Sequence, residues 1–255
     1  MSLAEFCRPY ESVELWFNSE PEDQLQLIWL LDGLRSDPET VAKLKLRLVS
    51  YDMLTATPQQ LAKWHAPAHP ITSAYLDAAS DTWWAYRAGT PEAFFDLLRS
   101  DLSRFLMLRP VLFDLLEELP SVSTGLGATE MRLLELVACG YDRTNALFHL
   151  RSLTQRRVFD AGEIGFLLEG LAHGPEPAIS GLDEEIRTIP RERHYARDDA
   201  YKRSRLQLTD FGDTILAHKE DFSPHNPIDR WWGGTHLTND NLWRYDPVLI
   251  PPRRQ

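Results

Sequence analysis

Two carboxylates follow the first predicted strand, at a position where an open parallel sheet binds ligands. Ser12–Phe17 (SVELWF) is short, apolar and β-prone, and Asn18, Ser19, Glu20 and Asp23 come after it. Ligands of such sheets bind beyond the carboxyl ends of the strands, where carboxylates can hold Mg²⁺ for phosphoryl chemistry or hydrolysis. Acidic residues in a first helical turn are also common because they complement the helix dipole. Glu20 and Asp23 are thus the candidate catalytic and metal-ligating residues, with the structural interpretation favoured.

A third candidate catalytic residue is His236, which follows a double glycine in the stretch IDRWWGGTHL. A single histidine close to tryptophans is more often structural than catalytic. The sequence contains no nucleophile elbow, phosphate-binding loop, metal-spaced histidine pair or kinase signature. It therefore predicts no cofactor and, on balance, no enzyme.

A basic segment between Arg187 and Arg205 could contact phosphates. It carries seven Lys and Arg against three Asp and Glu, a local net charge of +4. Arg191, Arg193 and Arg197 are the candidate phosphate contacts. Charge runs are usually solvated loops, and that interpretation is favoured here.

The helical pattern over Asp160–His173 lies where a DNA-reading winged helix places its base contacts. Its apolar side is Ala161, Ile164, Leu167, Leu168 and Leu171. A projection at about 100° per residue puts the remaining positions outward: Gly162, Glu163, Phe166, Glu169 and His173. That face has none of the Lys, Arg, Asn and Gln side chains that read bases. It favours contact with a protein, for which Phe166, Glu163 and Glu169 are the candidate interaction residues.

The elements that position these residues indicate an α+β protein, mostly helical. A strand–helix–strand unit over Ser12–Ser50 predicts a parallel pair, and two strands rarely stand alone, so Pro247–Ile250 is a candidate third strand. Helices follow from Thr57, and Asp114, Glu117 and Glu118 are predicted to form a solvated face. Gly125–Lys219 reads as a winged-helix module, whose first helix starts with Gly127 and Glu130 as half of a capping box.

Turn signals divide the chain into three predicted regions. Ser121–Gly127 (SVSTGLG) is the predicted linker, so residues 1–120 form the α/β and helical region and residues 121–220 the winged-helix-like module. Residues 221–255 form a C-terminal hairpin and tail that pack on the body. The hairpin is predicted to turn at the Thr-Asn-Asp-Asn stretch, with Trp231, Trp232 and Trp243 packing inward.

Composition narrows the compartment and the partners. The 255 residues carry a formal net charge of −11, which disfavours phosphate backbones and membrane surfaces. Cys7 and Cys139 form no metal or disulfide pattern, and no apolar run approaches membrane-spanning length. We expect a cytoplasmic protein that binds no membrane.

Several motifs, in this order, carry a family resemblance: VELWFNSEPEDQLQLIWLL, GLGATEMRLLEL, LTDFGDTIL, RWWGGTHL and LWRYD. The chain resembles, over nearly its whole length, the C-terminal part of bacterial proteins of the domain of unknown function 1835 family. The resemblance implies no reaction. The family shows Glu-His-Asp where this chain has Asn18, Ser19 and Glu20, whereas Asp23 and Gln24 match, and the family's usual N-terminal region with a Gly-Asp motif has no counterpart here.

Together these features predict a regulatory or protein-interaction module built on a winged-helix scaffold, with another protein or a second copy as its partner. Two alternatives stay open. The first is a DNA-binding transcription regulator that uses the basic segment, and the second is a metal-assisted hydrolase or phosphoryl-transfer enzyme that uses Glu20 and Asp23.

Overall fold

The computed structural model describes residues 2–49, 56–65, 67–102, 107–144, 147, 158–182, 204–246 and 250–254. They form a mixed α+β protein with two compact units, Met1–Asp114 and Leu115–Gln255. None of the described helices is long and apolar enough to cross a membrane.

A small sheet organises the first unit. Strand β1 (Val13–Asn18) runs parallel to β2 (Leu44–Val49), and β3 (His69–Pro70) pairs antiparallel with β2. Helix α2 (Pro21–Leu34) connects the parallel strands and begins with Pro21 at its first position, where a missing N–H costs no hydrogen bond. Leu27, Ile28 and Leu31 of α2 are fully buried. The predicted strand–helix–strand unit with parallel strands is confirmed.

The third strand of this sheet is not the predicted one. Within Pro247–Ile250, Ile250 begins β9 (Ile250–Arg254), which pairs antiparallel with β8 (Trp243–Asp246) in the second unit. Residues 247–249 lie outside the described part of the chain. Because β9 follows β8 directly in the chain, its pairing with β8 needs a shorter connection than the predicted pairing with the β1–β2 sheet.

Helices complete the first unit. Thr57 and Thr72 cap α4 (Pro58–Lys63) and α5 (Ser73–Tyr86) by accepting hydrogen bonds from the backbone N–H groups of Gln60 and Tyr75, as Thr does at helix starts. Helix α5 packs against α2. The other helices in the described part of the chain before residue 100 are α1 (Leu3–Cys7), α3 (Pro38–Val41), α4 (Pro58–Lys63), α5 (Ser73–Tyr86), α6 (Glu92–Asp96) and the 3₁₀ turn Leu97–Arg99.

Helix α7 (Leu108–Glu117) runs across the division between the units. Pro110 lies in its first turn, so it starts the helix rather than kinking it. Asp114 and Glu118 are 8% and 5% exposed. The predicted solvated face is therefore wrong for both, because tertiary contacts cover this side of the helix.

The second unit is built around three described helices and a short antiparallel pair. They are α8 (Ala128–Ala138), α9 (Ala161–His173), α10 (Asp210–Leu216), β4 (Ile179–Ser180) and β5 (Gln207–Leu208). An isolated antiparallel bridge joins Arg143 to Arg205, just before β5. The shared core includes Leu133, Leu134, Leu147, Ile164, Leu168, Leu171, Ile179 and Ile215.

The C-terminal hairpin turns one loop earlier than predicted. Strands β6 (Asp229–Trp232) and β7 (Thr235–Thr238) are antiparallel, and their connection is Gly233–Gly234, where Gly233 has φ of 53°. The Thr-Asn-Asp-Asn stretch instead follows β7. Trp232 and Trp243 are buried, but Trp231 is 66% exposed, so its predicted inward packing is wrong: the β6 alternation turns it outward.

The predicted linker Ser121–Gly127 is an integral part of the second unit. The Arg244 guanidinium donates to the Ser121 carbonyl oxygen at 2.8 Å, and the Phe222 N–H donates to the Thr124 carbonyl oxygen at 2.8 Å. The division between the units falls before this segment, at residues 114 and 115.

Candidate functional site

Helix α9 presents one buried side and one open side. Asp160 caps it: its carboxylate accepts the Glu163 N–H at 2.8 Å, and the Glu163 carboxylate accepts the Asp160 N–H at 2.8 Å, a reciprocal capping box. Ile164, Leu168 and Leu171 are buried, whereas Phe166 is 67% exposed. Gly162 and Glu163 are exposed, and Glu169 and His173 are half-buried. Glu163 thus has a structural role in the cap, and Phe166 is the prominent apolar group of the open side.

A cavity of about 300 Å³ lies beside the open side of α9. We call it the α9 cavity. Its lining combines apolar and charged groups contributed by α9, by the start of α8 and by the segment that leads into β6. The lining residues are Gly125, Leu126, Glu130, Phe166, Leu167, Glu169, Gly170, His173, Gly174, Pro175, Phe222, Asn226, Pro227, Ile228, Asp229 and Arg230.

A buried ion pair forms one wall of the α9 cavity. The Arg230 guanidinium lies 3.0 Å from the Glu130 carboxylate, and the two side chains are 23% and 11% exposed. Glu130 also accepts the Gly127 N–H at 2.8 Å, which confirms the predicted half capping box of α8. One carboxylate therefore starts α8 and fixes Arg230, so the charges of this wall are held in place.

Glu118 supports the same wall from behind. Its carboxylate accepts both the backbone N–H and the hydroxyl of Thr129, at 3.1 Å and 2.5 Å, and the Arg230 guanidinium approaches its carbonyl oxygen at 3.5 Å. Burial raises the pKa of Glu118 to about 7, while the hydrogen bonds from Thr129 and the charge of Arg230 lower it. A group that titrates near neutral pH is thus built into the support of the site.

Asn226 fixes the opposite wall. It is 3% exposed, and its side chain accepts the Glu176 N–H at 3.1 Å and donates to the Glu176 carbonyl oxygen at 2.9 Å. A Cβ added to Gly174 would meet the Asn226 side chain at 2.1 Å, so only glycine allows the chain leaving α9 to pass this close.

A buried arginine anchors the segment that leads from α10 into the cavity. Arg244 is 3% exposed, and its guanidinium lies 2.6 Å from both the Asp221 carboxylate and the Ser223 hydroxyl. It also bonds the Ser121 carbonyl. These bonds tie β8, the 121–127 segment and the chain before Asn226 into one rigid support.

His236 lies on the outward side of the β6–β7 hairpin. Its Nε2 is 2.6 Å from the Asp229 Oδ1, and its ring stacks on that of Trp231, with centroids 4.6 Å apart and planes 12° apart. Asp229 also lines the α9 cavity. The structure therefore brings His236 to a carboxylate, and no serine, threonine or cysteine of the described residues hydrogen-bonds to its ring.

The Asp23 carboxylate links the start of α2 to the end of β1, whereas the Glu20 side chain makes no capping hydrogen bond. Asn18 Oδ1 accepts the Glu20 N–H at 2.6 Å, and the Asp23 carboxylate accepts the Asn18 N–H at 3.3 Å. Gln24 donates to the Asn18 carbonyl oxygen at 2.5 Å. Within the described part of the chain, no three His, Cys, Asp or Glu side chains are grouped so that they could hold a metal ion.

The candidate phosphate contacts Arg191, Arg193 and Arg197 lie outside the described residues. Sequence patterns missed two residues of this wall: Glu118 was predicted to be solvated, and Arg230 was not singled out. Contacts distant in sequence place both of them there. The capping pattern of Gly127 and Glu130 was the one local signal that pointed to this wall.

Comparison with known proteins gives no relative: no family model, no curated protein and no solved structure matches the chain. The resemblance to the domain of unknown function 1835 family therefore stays a prediction.

Proposed function

We propose that this chain is a cytoplasmic protein-interaction module that docks a partner protein on the open side of α9, with Phe166 as the anchor and the α9 cavity as the receptor. The observation that carries the proposal is the 67% exposure of Phe166 on the lining of a 300 Å³ cavity. Aromatic anchors next to pockets dominate the binding energy of protein interfaces.

The rigidity of the surroundings supports this function. The walls are held by the Glu130–Arg230 pair, by Asn226 and by the Arg244 network. A surface that is already ordered loses little conformational entropy on binding. The regulatory role that we infer is the presentation of such a preformed docking surface.

We also propose a winged-helix scaffold for residues 125–219. Supporting it are α8 and α9, the antiparallel β4–β5 pair on either side of the basic segment, and the Arg143–Arg205 bridge. In a winged-helix module a short strand after the first helix pairs with the last strand. The Arg143–Arg205 bridge joins the two corresponding segments, one after α8 and one just before β5. The open side of α9 carries Glu163, Phe166 and Glu169. The two carboxylates repel the phosphates of a DNA duplex.

The function is tested by quantitative affinity capture from the native host with three tagged chains. Phe166→Ala removes the anchor, and Gly170→Leu fills the cavity from a position where an added Cβ meets nothing within 4 Å. Gly89→Leu makes the same change at an exposed glycine of the first unit, where the added Cβ also meets nothing within 4 Å. We expect the same proteins to be lost from the first two captures and kept with Gly89→Leu.

Identical captures from all the chains contradict the proposal.

A DNA titration separates the docking function from transcription regulation. We expect no duplex binding even at low salt. Sub-micromolar, salt-sensitive binding that is lost when Arg191 and Arg193 are neutralised would favour the regulator instead.

A further inference from the structure

The two edges of the small sheet in the first unit differ. Strand β3 forms one edge with only two residues, His69 and Pro70, and a proline has no N–H to offer an approaching strand. Strand β1 forms the other edge, and β2 is its only neighbour among the described strands. β1 has six residues, contains no Pro or Lys and pairs with β2 in an unbroken register. It therefore lacks the usual features that keep edge strands from pairing further.

The unpaired backbone groups of β1 belong to two residues. The Val13 N–H donates to the Lys43 carbonyl oxygen at 2.9 Å, and residues that bond to the neighbouring strand alternate along a parallel pair. Glu14, Trp16 and Asn18 therefore turn their backbone groups away from β2. Those of Asn18 already bond to the start of α2. Glu14 and Trp16 each keep one N–H and one carbonyl oxygen without a partner among the described residues.

The side chains of β1 on the buried face of the sheet are incompletely covered. Leu46 of β2 is 1% exposed. Leu15, its neighbour in the register, is only half-buried, as are Val13 and Phe17. Side chains on one face of adjacent strands pack against each other. A further strand beside β1 would therefore cover these three apolar residues as well as bond to the backbone.

The outward face of β1 offers little charge to keep another strand away. The Glu14 carboxylate accepts two hydrogen bonds from the Arg47 guanidinium, at 2.9 Å and 2.8 Å. The same guanidinium lies 5.6 Å from the centroid of the Trp16 ring, which is 41% exposed. The charge of Glu14 is thus balanced within the sheet, beside an exposed apolar group.

We propose that the open edge of β1 pairs with β1 of a second copy of this chain, antiparallel about a twofold axis at Leu15. Glu14 of each copy then lies opposite Trp16 of the other. These are the hydrogen-bonded positions of the pair, so they use both N–H groups and both carbonyl oxygens that each copy offers. Val13 lies opposite Phe17, and Leu15 lies opposite its own counterpart, so apolar side chains meet apolar side chains.

The alternative registers are less favourable. An axis at Glu14 would place two carboxylates directly opposite each other, which is destabilising. An axis at Trp16 would need the backbone groups of Asn18, which already bond to Asp23 and Gln24. The edge is therefore self-complementary about Leu15, as a contact between identical copies requires. This inference is independent of docking at α9.

The first test is sedimentation velocity of the full chain from about 1 to about 100 μM, over which we expect a concentration-dependent dimer. Glu14→Pro removes an N–H that points away from β2, so it breaks two of the four bonds between the copies and none within the sheet. Glu14→Thr is the matched control, because it removes the same carboxylate and keeps the N–H. We expect Glu14→Pro to raise the dimer dissociation constant at least about tenfold above that of Glu14→Thr.

Cysteine cross-linking tests the register and requires no proline. The background is Cys139→Ser, since Cys139 is exposed and Cys7 is buried. A cysteine at position 15 would face its counterpart with Cα atoms about 4.5 Å apart, close enough for a disulfide. Cysteines at position 13 would lie about 13 Å apart. We expect oxidation to give covalent dimers with Leu15→Cys and not with Val13→Cys.

A chain that stays monomeric at all concentrations overturns the inference. So does a dimer that Glu14→Pro and Glu14→Thr weaken equally, or a dimer that cross-links no better through position 15 than through position 13. If the chain alone is monomeric and proteins captured by Glu14→Thr are lost with Glu14→Pro, the edge pairs with a strand of a different protein, and the second copy is the wrong occupant.

Discussion

Two exposed aromatic side chains, Trp84 of the first unit and Phe166 of the second, have different surroundings. In the first unit Trp84 is 62% exposed, and Arg87 lies over its ring at 5.5 Å. In the second unit Phe166 is 67% exposed, no cation of the described residues covers it, and a cavity opens beside it. The first arrangement is complete within the chain, whereas the second offers a ring and a receptor to another molecule. Exposure alone therefore does not identify a docking residue; its immediate surroundings do.

Two ion pairs, one from each unit, differ in burial. Arg47 and Glu14 form a bidentate pair on the open face of the sheet, with side chains 26% and 35% exposed. Arg244 and Asp221 form a pair in which the arginine is 3% exposed. The surface pair connects only two side chains on neighbouring strands. The buried pair joins β8 to the segment that supports the α9 cavity.

The largest effect is expected from Arg244→Met. The change leaves Asp221, Ser223 and the Ser121 carbonyl without their shared donor, and breaking a buried pair in this way costs about 3–5 kcal/mol. Arg47→Met is the matched control and should cost much less, since exposed pairs contribute little. Urea unfolding of the two variants measures the difference, and equal losses would remove the distinction between the pairs.

A pH-dependent effect of about 3 kcal/mol is expected from Glu118. Its pKa is raised from 4.5 to about 7, so the folded chain holds this proton more tightly than the unfolded chain. Its contribution to stability is complete below about pH 4.5 and is lost as the pH rises through 7. Glu118→Gln keeps an acceptor for Thr129 and removes the titration. We therefore expect the difference in unfolding free energy between variant and parent to grow between pH 5 and 8 in favour of the variant, and a constant difference would contradict the assignment.

These two predictions also mark where sequence patterns fail. The cap of α8 by Glu130, the parallel β1–β2 pair and the outward position of Phe166 follow from local periodicity and spacing. The burial of Glu118 could not be predicted, because its contacts with Thr129 and with Arg230, which is more than a hundred residues away, form only in the folded chain. Ser121–Gly127 has the composition of a linker, yet Arg244 fixes it from equally far along the chain.

Two glycine-to-alanine changes should increase the stability, by less than the changes above decrease it. Gly170 of α9 and Gly33 of α2 are exposed, and a Cβ at either meets nothing within 4 Å. Gly170→Ala and Gly33→Ala should therefore each stabilise the chain by about 0.5–1 kcal/mol through helix propensity. If Gly170→Ala destabilises while Gly33→Ala stabilises, as measured by urea unfolding, the open space beside α9 is not there.

The smallest effects separate the two exposed aromatic residues. Trp84→Ala loses the stacking of Arg87 and should cost about 0.5–1 kcal/mol, whereas Phe166→Ala should change the stability by less than about 0.5 kcal/mol. Urea unfolding followed by circular dichroism tests both, since it does not depend on the fluorescence of the tryptophan removed. A larger loss for Phe166→Ala would assign that ring to packing rather than to docking.

The most direct test places a photocrosslinking amino acid, p-benzoylphenylalanine, at position 166 and, in a second chain, at position 84. After irradiation of the native host cells, position 166 should yield a discrete covalent adduct with another protein or with a second copy of this chain, and position 84 should not. No adduct at position 166, or the same adducts at both positions, would contradict the docking function of α9.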